Sequence, residues 1–150
     1  EREEYMSIIK ENHLDPYVIL HGRQAGQMLD LLFELCDFGI GSLGRHRSGI
    51  TNIKTLKNRE YAARGIPFIY SEIDEDFENM PYIMKIPANE EAVDIKQILN
   101  FYNQLHITPL EIRNSIRHLS WNNQMKKVLD EMQKKDKINP NNNNIANFAT

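Results

Sequence analysis

Apolar residues fall along this chain in two alternating patterns: short near-continuous runs, and longer stretches that repeat every three to four positions. The runs predict strands buried on both faces, and the repeating stretches predict amphipathic helices. Four runs stand out: Tyr17-Val18-Ile19-Leu20, Phe38-Gly39-Ile40-Gly41, Pro67-Phe68-Ile69-Tyr70 with its proline at the first strand position, and Tyr82 to Ile86 behind an acidic loop. Between and around them lie helix signals. Tyr5, Ile8 and Ile9 share a face of a charged helix over 1–12, and Met28, Leu29, Leu32 and Leu35 share another. A third helix is predicted from about Ile53 to Arg64, stopped by Gly65. Ala92, Ile95, Ile98, Leu99, Tyr102 and Leu105 hold the helical period most closely. Thr108-Pro109-Leu110-Glu111 supplies an N-cap, a first-turn proline and a capping-box glutamate, and a last helix is predicted from about Ser120 to Lys135.

Apolar strands separated by helices imply a parallel sheet, because parallel neighbours need crossover connections and these lay helices over the sheet. The expected class is α/β: a Rossmann-like three-layer domain with a mainly parallel sheet over residues 1–138. The asparagine-rich stretch after Ile138 is too polar to offset chain entropy by burial, so 139–150 is expected to be a disordered tail. The first helix lacks a preceding start signal, so the sequence is expected to begin inside a larger protein.

Composition narrows the function classes. The chain has 150 residues, of which 41% are hydrophobic, enough for one core. A formal charge of −3 gives no general attraction to nucleic acid or anionic lipid, so nucleic acid is not an expected partner and anion binding needs a local cluster. The single cysteine, Cys36, beside the apolar run Leu31 to Leu35, reads as a small buried hydrophobe and rules out a cysteine-built metal site. No stretch reaches the ~18 consecutive apolar residues of a transmembrane helix, and the charged start is unlike a secretion signal. A cytoplasmic location is expected. His13, His106 and His118 lack metal-ligand spacing and read as structural, whereas His21 borders a strand end and His46 lies in a basic loop.

Ligands of open parallel sheets bind at the carboxyl ends of strands, which points to the loops after Leu20, Gly41 and Tyr70. The middle loop, Ser42 to Thr51, carries Arg45, His46 and Arg47 and leads into a helix bearing Lys54 and Lys57. Free amides, a helix dipole and several cations there would suit a diphosphate, although a solvated basic loop reads equally well. Glu60 falls by helical wheel on the stripe of Ile53, Leu56 and Ala63 that should face the sheet. Two readings stay open: a carboxylate held for sugar hydroxyls, and a surface pair with Arg64.

The stretch Leu56-Lys57-Asn58-Arg59-Glu60-Tyr61-Ala62-Ala63-Arg64-Gly65-Ile66-Pro67-Phe68-Ile69 resembles the donor-site signature of glycosyltransferases built from two Rossmann-like domains, the GT-B architecture. The order of elements from Tyr17 to Leu105 is similar to the C-terminal half of that family, and Trp121 is similar to its chain end. The resemblance implies a donor-binding domain that holds a UDP- or GDP-sugar, with the glutamate matching Glu60 on the ribose and the lysine matching Lys57 near the diphosphate. It further implies hexosyl transfer in polysaccharide biosynthesis, retaining and metal-independent, without a cofactor. The acceptor, a glycan or a lipid-linked molecule, would be held by a preceding domain that also provides peripheral attachment at the inner membrane, so this half alone should be inactive. Relatives place a second glutamate eight residues earlier, where this chain has Asn52. The expected binding residues are Gly22, Ser42, Arg47, Asn52, Lys54, Thr55, Lys57 and Glu60. Arg47 and Lys57 are candidates for stabilising the leaving diphosphate, and no catalytic residue is assigned. The rival is a non-catalytic Rossmann-like interaction or receiver-type module. A receiver needs acidic residues at strand ends, whereas Asp37 starts its strand. A nicotinamide enzyme would need a Gly-x-Gly-x-x-Gly turn that the chain lacks.

Overall fold

The structure, a computed structural model, describes residues 2–138, with side chains through Lys134. The tail predicted to be disordered lies outside the described residues. The chain divides after Cys36 into two compact units. The first holds helices α1 (Arg2–Glu11) and α2 (Gly26–Glu34). Its run Tyr17 to Leu20, predicted to be a buried strand, is instead the end of a turn and a segment outside any helix or strand: the Tyr17 and Val18 amides donate to the Leu14 carbonyl, and Tyr17 and Ile19 are exposed. The apolar composition was right for a strand, but no ladder partner is hydrogen-bonded to the run, and a strand needs one.

The second unit carries the sheet. Its order along the chain is β1 (Gly39–Ile40), a 3₁₀ turn (Arg45–Ser48), α3 (Leu56–Arg64), β2 (Phe68–Tyr70), β3 (Ile83–Lys85), α4 (Ile95–Asn103), α5 (Pro109–Ser115), a second 3₁₀ turn (Arg117–Leu119) and α6 (Trp121–Ile138). The three strands run parallel in the order β1-β2-β3, with Gly39 opposite Phe68 and Ile69 opposite Met84. The unit is therefore α/β with a small open parallel sheet, and no helix among the described residues is long and apolar enough to cross a membrane.

Burial explains the arrangement. Phe68 and Tyr70 of β2 are fully buried and join Ala62 of α3, Phe77, Tyr82, and Ile112 of α5 in one core. Each large side chain so enclosed contributes about 1.5–3 kcal/mol relative to exposure. Ile69, pointing to the opposite face by strand alternation, is also fully buried. Gly39 presses on Tyr61 of α3, where a Cβ would lie 2.8 Å from the ring. Its neighbour Phe38 instead meets Phe101 and Tyr102 of α4 edge-on, at centroid distances of 6.3 and 6.0 Å.

Local signals set the helix ends. Gly65 closes α3 in the left-handed region at φ 78°, and a Cβ there would lie 2.5 Å from the Pro109 carbonyl oxygen. Thr108 and Glu111 form the predicted capping box at the start of α5. Asp94 caps α4 by accepting from the Lys96 and Gln97 amides.

Candidate functional site

Because the strands are parallel, the loops that follow them emerge on one edge of the sheet, and the first two are stitched together there. The Ser42 carbonyl accepts from both the amide and the hydroxyl of Ser71, at 3.1 and 3.2 Å. Further out, Asn52 and Ile73 form a parallel bridge: the Ile53 amide donates to the Ile73 carbonyl and the Ile73 amide to that of Thr51, both at 2.8 Å. This approach requires Gly41, since a Cβ there would lie 2.8 Å from Asn58 Oδ1 and from the Ile69 carbonyl oxygen. A cleft of about 270 Å³ opens beside the bridge, lined by Asn52, Ile53, Lys54, Ile73 and Glu75.

The basic loop is not free. Gly49, at φ 69°, closes the 3₁₀ turn, whose first amides, those of Arg45 and His46, donate to Oε1 of Glu72 at 2.7 and 3.3 Å. Glu72 is 2% exposed, and its other oxygen is buried without a hydrogen-bond partner. The side chains turn to Glu90 in the loop after β3. Arg47 Nε donates to Glu90 Oε1 at 2.8 Å, Arg47 Nη2 pairs with Oε2, and His46 Nε2 lies 3.0 Å from Oε1. Arg47 first, then His46, lowers the Glu90 carboxyl below its ordinary pKa. Lys54 lies 3.6 Å from Glu75 across the cleft.

The other predicted residues differ in setting. Thr55 is the N-cap of α3, yet its hydroxyl caps nothing and its Oγ1 is buried without a partner. Lys57 is exposed in the first turn of α3 and forms no ion pair among the described residues. Asn52 directs its amide to the Thr51 hydroxyl. Gly22, at φ 68°, belongs to the first unit. Ser42, Arg47, Asn52, Lys54 and Thr55 thus lie on the one segment that leads from the carboxyl end of β1 to α3, and Lys57 lies in the first turn of that helix.

Glu60 corrects the helical-wheel argument. Leu56 is 82% exposed and Ala63 is exposed, while the buried face of α3 carries Asn58 and Ala62. The helix begins at Leu56, so Ile53 lies in the bridge and does not set the helical phase. Glu60 is half-exposed and accepts from Arg64 Nη2 at 3.2 Å, which is the surface-pair geometry.

Sequence reasoning passed over the most buried charges. Asp74 is fully buried, accepts from Asn58 Nδ2 at 3.1 Å, and takes both Arg59 terminal nitrogens at 3.1 and 3.2 Å. Arg59 also pairs with Asp76 and lies 5.5 Å from the Phe77 ring centroid. Burial works against the Arg59 charge, but Asp74 and Asp76 outweigh it and raise its pKa. In Asp74-Glu75-Asp76 the two aspartates together hold the Arg59 guanidinium. Beside them Glu78 accepts from Tyr70 Oη at 2.9 Å, from the Asp74 amide at 3.1 Å, and from Lys85. The available signal was the density of carboxylates between Glu72 and Glu78, which requires cations from elsewhere in the chain.

No group of three or more His, Cys, Asp or Glu among the described residues could hold a metal ion. Comparison with family models, curated proteins and solved structures finds no match.

Proposed function

We propose that the second unit binds the diphosphate of a sugar nucleotide at the carboxyl edge of its sheet, as the donor half of a GT-B glycosyltransferase. The observation that carries the reading is the placement of Arg47, Asn52, Lys54 and Thr55 on the segment between β1 and α3, with Lys57 in the first turn of that helix, where a parallel bridge knits the segment to the loop after β2 beside an open cleft lined by Asn52 and Lys54. At about 270 Å³ the cleft lies below the ~300–1,000 Å³ of ordinary ligand pockets, so it suits one part of such a ligand, with the remainder lying over the first turn of α3. The three-layer arrangement of a Rossmann-like domain fits the opposed packing of Gly39 on Tyr61 of α3 and Phe38 on Phe101 of α4. The donor would be a UDP- or GDP-sugar, the acceptor a glycan or lipid-linked molecule, and hexosyl transfer would need the acceptor-binding domain as well. Location follows the same reading: cytoplasmic, peripheral to the inner membrane.

A second reading, a basic loop with a purely structural role, draws support from Glu72, whose carboxylate already takes the Arg45 and His46 amides. Glu60 separates the two. If its carboxylate accepts ribose hydroxyls, Glu60→Ala weakens UDP or GDP binding by about 1.5–3 kcal/mol while stability changes by no more than the ~0.3–0.5 kcal/mol of an exposed helix pair. Calorimetric titration with UDP, GDP and ADP, together with thermal unfolding, measures both. Unchanged affinity with a sharply lowered melting temperature would remove Glu60 from the site.

A further inference from the structure

We infer that Glu90 is a built-in placeholder for the ligand's phosphate: its carboxylate clasps His46 and Arg47 in the ligand-free protein and is displaced when an anion binds. The inference rests on the proposed diphosphate site and adds to it the state from which binding starts. Glu90 lies 43 residues from Arg47 in sequence, on the loop that leaves the carboxyl end of β3, and it meets Arg47 through both carboxylate oxygens in a guanidinium fork. The same carboxylate reaches His46, so one monoanion spans both side chains of the turn. That is the geometry in which a phosphate oxygen pair meets arginine.

The clasp is weak enough to be displaced. Glu90 and Arg47 are 62% and 69% exposed, and exposed pairs close with equilibrium constants on the order of 1–5. His46 leaves its Nδ1 buried without a hydrogen-bond partner in this arrangement, so the ring is anchored from one side. The terminal phosphate of UDP or pyrophosphate offers roughly −1.5 to −2 charge and three acceptor oxygens, and the doubly esterified diphosphate of a sugar nucleotide offers one charge on each of two phosphates, against the single charge of a carboxylate. Either would replace Glu90 on both side chains and release the loop between β3 and α4.

A ligand that must first open a clasp binds more weakly by the fraction of molecules already open. Glu90→Gln, which keeps the shape and removes the charge, should therefore tighten UDP or pyrophosphate binding by about two- to sixfold in calorimetric titration of the whole chain. Glu91→Gln removes the same charge one residue away, outside the clasp, and should change affinity much less. Tightening by Glu90→Gln alone supports the placeholder. Equal tightening by both variants would reduce the effect to general charge and overturn it, and weaker binding by Glu90→Gln would make Glu90 part of the ligand contacts and overturn it too. Binding by the wild type with unchanged affinity in Glu90→Gln removes this inference alone. No binding of UDP, GDP, ADP or pyrophosphate by either protein removes the nucleotide reading along with it.

Discussion

Replacing Arg59 with methionine isolates the energetics of the buried acidic loop. Asp74 is fully buried, and its carboxylate rests on two guanidinium hydrogen bonds of 3.1 and 3.2 Å and one from Asn58 at 3.1 Å. Methionine keeps an apolar stem beside Phe77 but removes the charge, leaving a buried carboxylate with a neutral donor. Breaking a buried pair from one side costs about 3–5 kcal/mol, and because Arg59 is one-fifth exposed the expected loss is somewhat smaller, about 2–4 kcal/mol. For a unit of this size that lowers the melting temperature by roughly 10–30 °C. Urea unfolding followed by near-ultraviolet circular dichroism, which reads the buried Tyr70 and Tyr82, measures it as a lower midpoint at constant slope. Asp74→Asn added to Arg59→Met should recover at least half of the loss, because the stranded charge is gone. A loss below about 1 kcal/mol for Arg59→Met, or two effects that simply add, would refute the argument that the pair shields a buried charge.

Gly65→Ala should destabilise by at least about 2 kcal/mol in thermal unfolding, since alanine is disfavoured at φ 78° and its Cβ would sit 2.5 Å from the Pro109 carbonyl oxygen. A neutral result would mean that α5 moves away freely. Glu78 gives part of the acid limb: burial raises its carboxyl pKa, but Lys85, Tyr70 and the Asp74 amide outweigh that and lower it. Its contribution is therefore fully present above the ordinary carboxylate value of about 4.3 and lost as pH falls through the lower folded value. Glu78→Gln should lose less stability than the wild type between pH 6 and pH 2, with Glu90 and Glu111 supplying the rest of the limb, and a variant whose loss equals the wild type's would assign the acid limb to those other carboxylates.

Much of the fold was readable where the signal is local. Pro67 to Tyr70 is apolar throughout and became the central strand, Gly65 stopped α3, and Thr108 with Glu111 made the capping box. Two errors came from reading composition without partners. Tyr17 to Leu20 is as apolar as β2 but pairs with no strand, and the stripe through Glu60 was phased on Ile53, which the bridge to Ile73 holds outside the helix. The candidate site was legible as a basic loop at a strand end. The carboxylates that occupy it were not, because Glu72 and Glu90 reach it from 26 to 44 residues away and nothing near them in sequence names their partners. Arg59 was invisible for the same reason: Asp74 lies 15 residues away, and only the fold brings it to Arg59.

The bridge between Asn52 and Ile73 also limits how this loop can change length. Ile73 is fixed through its backbone, and the next residue, Asp74, is fixed through its side chain to Arg59 and Asn58. One residue inserted between them would move either the hydrogen-bonded pair or the buried carboxylate out of register, so the junction tolerates substitution more readily than insertion.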